Sequence, residues 1–228
     1  MTKLSLRLMG PFQAVLDGVI LTDFRSNKVS GLLAYLVIES QRPWTRSFLA
    51  DLFWPDFPED KAQSNLSNAL WNLRSLLGDS DNHSNFIIVH KSTIQFNERA
   101  DFWVDVKAFT GLVEKIYTLS TASSDLSELS DLEETLSKFE GSFMDGFFID
   151  SPVFETWIGK TRQGIRQEKV NAFRCLSQMH LQNGKFAAAQ NFTMKWIEFE
   201  PWDEEAYRQA MKIFNELGQR KKALDLYD

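Results

Sequence analysis

Residues 59–78 read EDKAQSNLSNALWNLRSLLG, and their apolar positions predict one amphipathic helix. Apolar side chains recur every three or four residues, which places them on one side of an α-helix. Gly78 favours the end of that helix, because glycine adopts the left-handed C′ conformation without strain. We therefore expect a helix from Glu59 to Leu77 with one buried stripe. The residues of the stripe are Ala62, Leu66, Ala69, Leu70, Leu73 and Leu77.

The opposite side and the flanks of this helix are polar. Asparagine and arginine offer paired hydrogen-bonding groups that match the edges of adenine and guanine in the major groove of DNA. A solvent-facing helix without special function is polar too, so both interpretations stay open here. For Trp71 three roles are open: contact with a thymine methyl group, with a sugar, or with a partner chain. The candidate groove-reading residues are Ser64, Asn65, Ser67, Asn68, Trp71, Asn72 and Arg74.

The residues before this helix predict a small sheet and two further helices. Leu4, Leu6 and Leu8 alternate with polar residues, and Asp17-Gly18 separates two apolar runs as in a β-hairpin. Two to three strands are clear. A helix with Ser26 as its N-cap then precedes a shorter helix capped by Thr45. The short helix is expected to bury Phe48, Leu49, Leu52 and Phe53.

A second hairpin is predicted after the long helix. Phe86–Val89 and Ile94–Phe96 are short apolar runs on either side of His90-Lys91-Ser92-Thr93. The order sheet, three helices and hairpin is typical of a winged helix-turn-helix, in which this hairpin is the wing. The loop 54–58 between the second and third helices is expected to bury Trp54 in the core.

Beyond a short extended piece at Phe102–Val106, the chain is predicted to be helical. Residues 120–130 are small and polar and suggest a flexible loop. Gly184 and Gly218 lie 34 residues apart, as do Ala189 and Ala223. This spacing is that of tetratricopeptide repeats, whose helix pairs must stack to bury their apolar faces. The chain ends without a capping signal, so we expect this domain to be truncated.

The predicted fold class is thus an α+β winged helix-turn-helix followed by an all-α tetratricopeptide-like domain, mostly α overall. We expect the boundary between residues 1–100 and residues 101–228. The formal net charge is −6, and residues 1–100 hold equal numbers of basic and acidic residues. This half therefore lacks the strongly basic character of many DNA-binding domains.

Several classes of protein are disfavoured by composition. The one cysteine, Cys175, excludes an intrachain disulfide and fits a buried core thiol. No apolar stretch reaches the length of a membrane span, so a cytoplasmic protein is expected. His83, His90 and His180 lack metal-ligand spacing, and nothing near Asp145 and Asp150 would keep a carboxyl group protonated. We therefore expect no enzyme, no metal and no cofactor.

Several short motifs resemble the antibiotic-regulatory-protein (SARP-like) bacterial transcriptional activators. The resemblance rests on the order and spacing of the motifs rather than on any single one. In the first half they are LMGPF (8–12), LDG (16–18), FRSNK (24–28), LLAYL (32–36), LFWPD (52–56) and NLSNALWNLR (65–74). In the second half they are DFWVD (101–105), FMDGF (143–147) and EPW (200–202), which are similar to the bacterial transcriptional activator domain.

The resemblance implies a transcriptional activator that binds double-stranded DNA. Helix 59–77 would enter the major groove, and the hairpin 86–96 would contact the minor groove through His90, Lys91, Ser92 and Thr93. The 54–58 loop can face RNA polymerase in such proteins. Many members continue into an ATPase and sensor region, but no phosphate-binding GxxxxGK[ST] motif occurs in these residues. The candidate phosphate-backbone contacts are Arg25, Lys28, Arg42, Arg46 and Lys61.

The sequence also departs from the family pattern. Ser67 and Asn72 stand where arginines are expected, and Glu59 and Asp60 open the helix, where they repel phosphate. An alternative function is therefore a protein–protein interaction adaptor that keeps the winged-helix fold without significant DNA affinity. The helical domain would make protein contacts, by forming a homodimer, by binding RNA polymerase or by binding a regulatory partner.

Overall fold

The computed structural model describes residues 3–79, 86–121 and 127–226. The chain divides into two compact units. The first comprises Met1–Ala108 with Glu140–Arg162, and the second comprises Phe109–Phe139 with Gln163–Asp228. Among the described residues, no helix is both long enough and apolar enough to cross a membrane.

The first unit opens with a four-stranded sheet, whose strands are β1 (Leu4–Arg7), β2 (Gln13–Leu16), β3 (Val19–Ile20) and β7 (Phe102–Val104). The Asp17-Gly18 turn has positive φ values of 50° and 84°, which confirms the predicted hairpin. β7 pairs in parallel with β1 and completes the sheet. Local periodicity did not predict this pairing, because its partners are about a hundred residues apart in the chain.

Three helices follow the hairpin, at α1 (Asn27–Ile38), α2 (Arg46–Phe53) and α3 (Glu59–Leu76). Thr45 caps α2 as predicted, since its Oγ1 accepts a hydrogen bond from the Phe48 N–H at 3.3 Å. Ser26 occupies the N-cap of α1 but makes no capping side-chain bond. Phe48 is 39% exposed, so the prediction that it is buried was wrong. Gly78 ends α3 with a φ of +69°.

The predicted wing belongs to a three-stranded sheet. Its strands β5 (Ile87–Val89) and β6 (Thr93–Phe96) form the expected hairpin. A short strand before α2, β4 (Trp44–Thr45), adds to β6 and was not predicted. β4 places the start of α2 beside the wing. Residues 80–85, between α3 and β5, lie outside the described part.

The buried carboxylate of Asp105 binds backbone N–H groups at the end of the first sheet. Asp105 accepts hydrogen bonds from the backbone N–H groups of Leu8 and Met9, each with a shortest distance of 2.8 Å, and from Val106 at 2.8 Å. Burial raises the pKa of the Asp105 carboxyl group above its ordinary value, while the same backbone hydrogen bonds oppose that rise. The side chain thus ties the residues after β7 to the end of β1.

Residues 140–162 also belong to the first unit. Met9 forms a bridge with Phe143, and the Arg162 guanidinium donates to the carbonyl oxygens of Phe143 and Met144 at 2.8 and 2.7 Å. Phe154 and Trp157 add their rings to the aromatic core at a centroid distance of 5.1 Å. The compact unit therefore extends past residue 100 and takes in a second segment.

The second unit is helical. The helices that supply it wholly or in part are α4 (Asp105–Thr121), α5 (Ser127–Ser137), α6 (Pro152–Gln182), α7 (Phe186–Phe199), α8 (Glu204–Glu216) and α9 (Arg220–Asp225). Gly184 and Gly218 follow α6 and α8 with φ values of +69° and +71°, so the 34-residue period marks equivalent turns. The predicted mostly α fold class is confirmed.

Polar groups join these helices internally. The Asp203 carboxylate caps α8, accepts from the Trp196 indole N–H at 3.1 Å, and lies 3.4 Å from the Arg174 guanidinium. His180 bonds Glu133 across α6 and α5. Cys175 is only half-buried, contrary to the prediction of a core thiol, and its burial still raises the pKa of the thiol.

Two predicted features of this half reach beyond the described residues. The flexible loop expected at 120–130 contains residues 122–126, which are not described, whereas α5 already begins at Ser127. The domain was expected to be truncated at its C-terminus, and residues 227–228 are not described.

Replacing Asp105 with asparagine should destabilise the first unit by about 1–3 kcal/mol. The amide nitrogen would then face buried backbone donors that now have a carboxylate oxygen as their acceptor. Chemical denaturation followed by circular dichroism measures the loss. Asp101→Asn is the matched control, because Asp101 is exposed. Equal stabilities for the two variants would contradict this role of the Asp105 carboxylate.

Candidate nucleic-acid interface

One side of α3 is buried and the other is open, as predicted. Leu66, Leu73 and Leu77 have no exposed surface, and Ala62 has 1%. On the other side Ser64, Ser67 and Asn68 are exposed, Asn65 is half-buried, and Trp71 is 60% exposed. The helix therefore presents hydroxyl, amide and indole groups on one continuous surface.

The prediction that Asn72 reads the groove was wrong. Its side chain is only 6% exposed, and its Oδ1 accepts a hydrogen bond from the Arg25 backbone N–H at 3.1 Å. The amide thus points into the protein and holds the segment that precedes α1. Helical projection placed Asn72 on a flank, where neighbouring elements decide whether a side chain is covered.

The held segment brings a cation to the open side of α3. The guanidinium of Arg25 lies over the Trp71 ring at 4.8 Å from its centroid. A cation over an indole face is attracted by the quadrupole of the ring, by about 0.5–1 kcal/mol at exposed sites. Asn72 and Trp71 therefore position Arg25 from its backbone and from its side chain.

Arg46 links α3 to the wing. Its Nη2 donates to the Ser67 Oγ at 2.7 Å, and its backbone N–H donates to the Ser92 carbonyl oxygen at 3.0 Å. The Ser67 hydroxyl in turn donates to the Gln63 carbonyl oxygen at 2.9 Å. This one residue thus connects the start of α2, the open side of α3 and the turn of the wing. The sequence marked Arg46 only as a candidate phosphate contact.

A groove of about 210 Å³ lies between α3 and the wing. Leu70 and Val89 contribute apolar groups to the groove. The sequence did not indicate either residue as part of a site. The guanidinium group of Arg46 brings positive charge to the groove. The lining residues are Arg46, Ser67, Leu70, Trp71, Arg74 and Val89.

The prediction that Lys28 contacts the phosphate backbone was also wrong. Its ammonium group donates to the carbonyl oxygens of Phe53 at 2.6 Å and Asp150 at 3.2 Å. Burial lowers the pKa of Lys28, and the nearby Asp150 and Asp56 carboxylates partly oppose that effect. The side chain is engaged in holding backbone within the protein, so it does not fit a role as a phosphate contact.

The other candidate cations lie in different surroundings. Lys61 is exposed at the start of α3, near the Phe57 ring at 6.0 Å. Arg42 stacks on Trp44 at 3.9 Å. Arg74 is half-buried on the groove wall.

The turn of the wing is open. His90, Lys91 and Ser92 are exposed, while Thr93 is half-buried at the start of β6. The His90 N–H donates to the Thr93 carbonyl oxygen at 2.8 Å and closes the turn. One lysine therefore supplies the positive charge at the tip.

Two carboxylates stand at the other end of the surface. Glu59 and Asp60 are exposed in the first turn of α3, where the helix dipole favours negative charge. They oppose the approach of phosphate at that end. Lys61 lies in the same turn as these carboxylates, whereas Arg46 and Lys91 lie toward the wing. Within the described ranges, no group of histidine, cysteine and acidic residues has the geometry of a metal site.

Two asparagines of α3 give a matched prediction. Asn72→Ala should cost about 1 kcal/mol of stability, because it leaves the Arg25 N–H without its acceptor. Asn68→Ala should change stability by less than about 0.5 kcal/mol, because Asn68 is exposed. Thermal and urea denaturation compare the two variants. The assignment of Asn72 to a structural role fails if Asn68→Ala is the more destabilising of the two.

The family model of the bacterial transcriptional activator domain matches residues 104–228, more than half of the chain. No curated protein matches the chain.

A solved structure shares the fold. Mycobacterium tuberculosis EmbR, in complex with a low affinity phosphopeptide, is similar over 100% of this chain with a TM-score of 0.76 and 17% sequence identity. The chain corresponds to 58% of the length of that EmbR chain. The predicted fold and the SARP-like resemblance are confirmed. The chain belongs to the bacterial transcriptional activator domain family.

Proposed function

We propose that this protein binds double-stranded DNA through a winged helix in residues 1–100 and activates transcription. Residues 101–228 then form the activator domain, which makes protein contacts. The observation that carries the proposal is the open side of α3, where Ser64, Ser67 and Asn68 are exposed and joined to the wing through Arg46. A helix with such a side fits the width of the major groove.

The bases are read from the open side of α3. Asn68 suits adenine, because its amide offers one donor and one acceptor to the N6 and N7 positions. Ser64 and Ser67 supply hydroxyl groups, and Asn65 and Arg74 flank them. Asn72 is left out of the reading set, since its amide is used within the protein.

Phosphate groups are contacted around this surface. Arg25 and Arg46 lie beside α3, Lys61 lies in its first turn, and Lys91 is at the tip of the wing with His90 and Ser92. Each such contact releases counterions from the DNA, so binding must weaken as salt concentration rises. Winged-helix proteins of this kind commonly occupy half-sites spaced by about one duplex turn.

Protein partners are assigned to two other regions. Trp54 is 8% exposed and anchors the 54–58 loop, as predicted, while Asp56 and Phe57 are exposed. We assign this loop to RNA polymerase. The helical domain is assigned to a second copy of the chain or to a regulatory partner. A protein that acts on bacterial DNA in this way works in the cytoplasm.

Selection from a random duplex library, followed by fluorescence anisotropy at several salt concentrations, tests DNA binding. The wild-type protein should enrich a defined sequence and lose affinity steeply with added salt. Lys91→Ala should reduce the slope of log affinity against log salt by about one. Lys115→Ala is the matched control, since it replaces an exposed lysine of the second unit.

Asn68→Ala should weaken binding to the selected sequence by about 1–3 kcal/mol and relax the preference at one base pair. Asn191→Ala, which replaces an exposed asparagine of α7, should leave both the affinity and the base preference unchanged.

The adaptor alternative is favoured by the exposed Glu59 and Asp60 and by the neutral charge of residues 1–100. It is the correct function if no duplex is enriched or retained even at low salt.

A further inference from the structure

Trp71 is the most conspicuous apolar group on the open side of α3. Its ring is 60% exposed, whereas Trp44, Trp54 and Trp196 are at most 8% exposed. Leaving so large an apolar surface in water forgoes favourable burial. Covering this indole with a ligand on the proposed binding surface would therefore be favourable.

The position of Trp71 around the helix axis is central rather than lateral. At about 100° per residue, Trp71 projects within about 20° of Ser64 and about 40° of Ser75. It lies opposite the buried stripe and about one turn beyond Asn68. Side chains at the centre of a helix in the major groove meet base edges, whereas those on the flanks meet sugars and phosphates.

The indole is also held in place before any ligand arrives. Arg25 covers it at 4.8 Å, and the Arg25 backbone is fixed by Asn72 on the same helix. A side chain that is already ordered loses less conformational entropy on binding. The ring is thus a fixed apolar surface flanked by hydrogen-bonding side chains.

The charge around the ring is complementary to nucleic acid. Arg25 lies over the indole, and Arg46 lines the groove that Trp71 borders. An apolar protein partner would have to desolvate the guanidinium groups of Arg25 and Arg46, whereas phosphates pair with them. Among base-edge groups in the major groove, the one apolar group is the thymine C5 methyl.

We infer that Trp71 is a specificity-determining residue that contacts the methyl group of a thymine in the major groove. With Asn68 on adenine nearby, α3 selects sites that carry A·T pairs at defined positions. The inference rests on the proposed function, since it names the sequence feature that the same surface recognises.

The test is a double cycle that combines protein and DNA changes on the selected duplex. Each thymine is replaced in turn by deoxyuridine, which removes the methyl group and keeps the base pair. For wild-type protein, one position should lose affinity about fourfold, the value expected for one buried methyl-sized group. Trp71→Ala should bind more weakly and should show no further loss at that position.

Two controls separate this effect from other causes. Trp202→Ala removes an exposed tryptophan of the second unit, 92% exposed, and should preserve both the affinity and the deoxyuridine effect. Trp71→Phe keeps an apolar ring and should retain part of the deoxyuridine effect. Thermal denaturation checks that each variant is folded.

Three results would overturn the inference. Equal sensitivity to deoxyuridine in wild type and Trp71→Ala would show that the indole does not meet a methyl group. A uniform loss of affinity, with no coupling to any thymine, would assign Trp71 to a sugar. A change in oligomeric mass on Trp71→Ala, without an effect on DNA, would assign it to a partner chain. Failure of the proposed function is distinct, because then no duplex is selected.

Discussion

Burial of one side of α3 determines what the other side can offer. The leucines of its stripe pack against α1 and α2 and have almost no exposed surface. Rotating the helix by one residue would expose them, at a cost of about 1.5–3 kcal/mol for each. Ser64 and Asn68 therefore face solvent as a direct consequence of core packing. The candidate interface consists of the α3 residues that core packing leaves exposed. The helical period that buries the leucines also determines which residues these are.

Hydrogen bonds from neighbouring elements then convert this helix side into an ordered surface. Asn72 holds the segment of Arg25, which covers Trp71, and Arg46 joins Ser67 to the wing. Although this surface carries few cations, backbone and side-chain contacts fix the positions of Arg25 and Arg46.

The first unit depends on residues far beyond the winged helix. β7 and Asp105 complete its sheet, and residues 140–162 add Phe143 and an aromatic cluster. The family match starts at residue 104, so the matched domain supplies part of the first compact unit. A fragment that ends at residue 100 lacks β7 and Asp105 and leaves an edge of β1 unpaired. The compact unit and the matched domain thus have different limits.

The sequence by itself determined the elements whose signals are local. The period of 3.6 in α3, the Asp17-Gly18 turn, the Gly78 terminus and the 34-residue repeat were all predicted, because each depends on residues close in the chain or on a fixed spacing. Tertiary structure alone decided the parallel pairing of β7, the addition of β4, the internal use of Asn72 and Lys28, and the linking role of Arg46. Those outcomes depend on which distant group lies opposite a side chain, and periodicity carries no information about such partners.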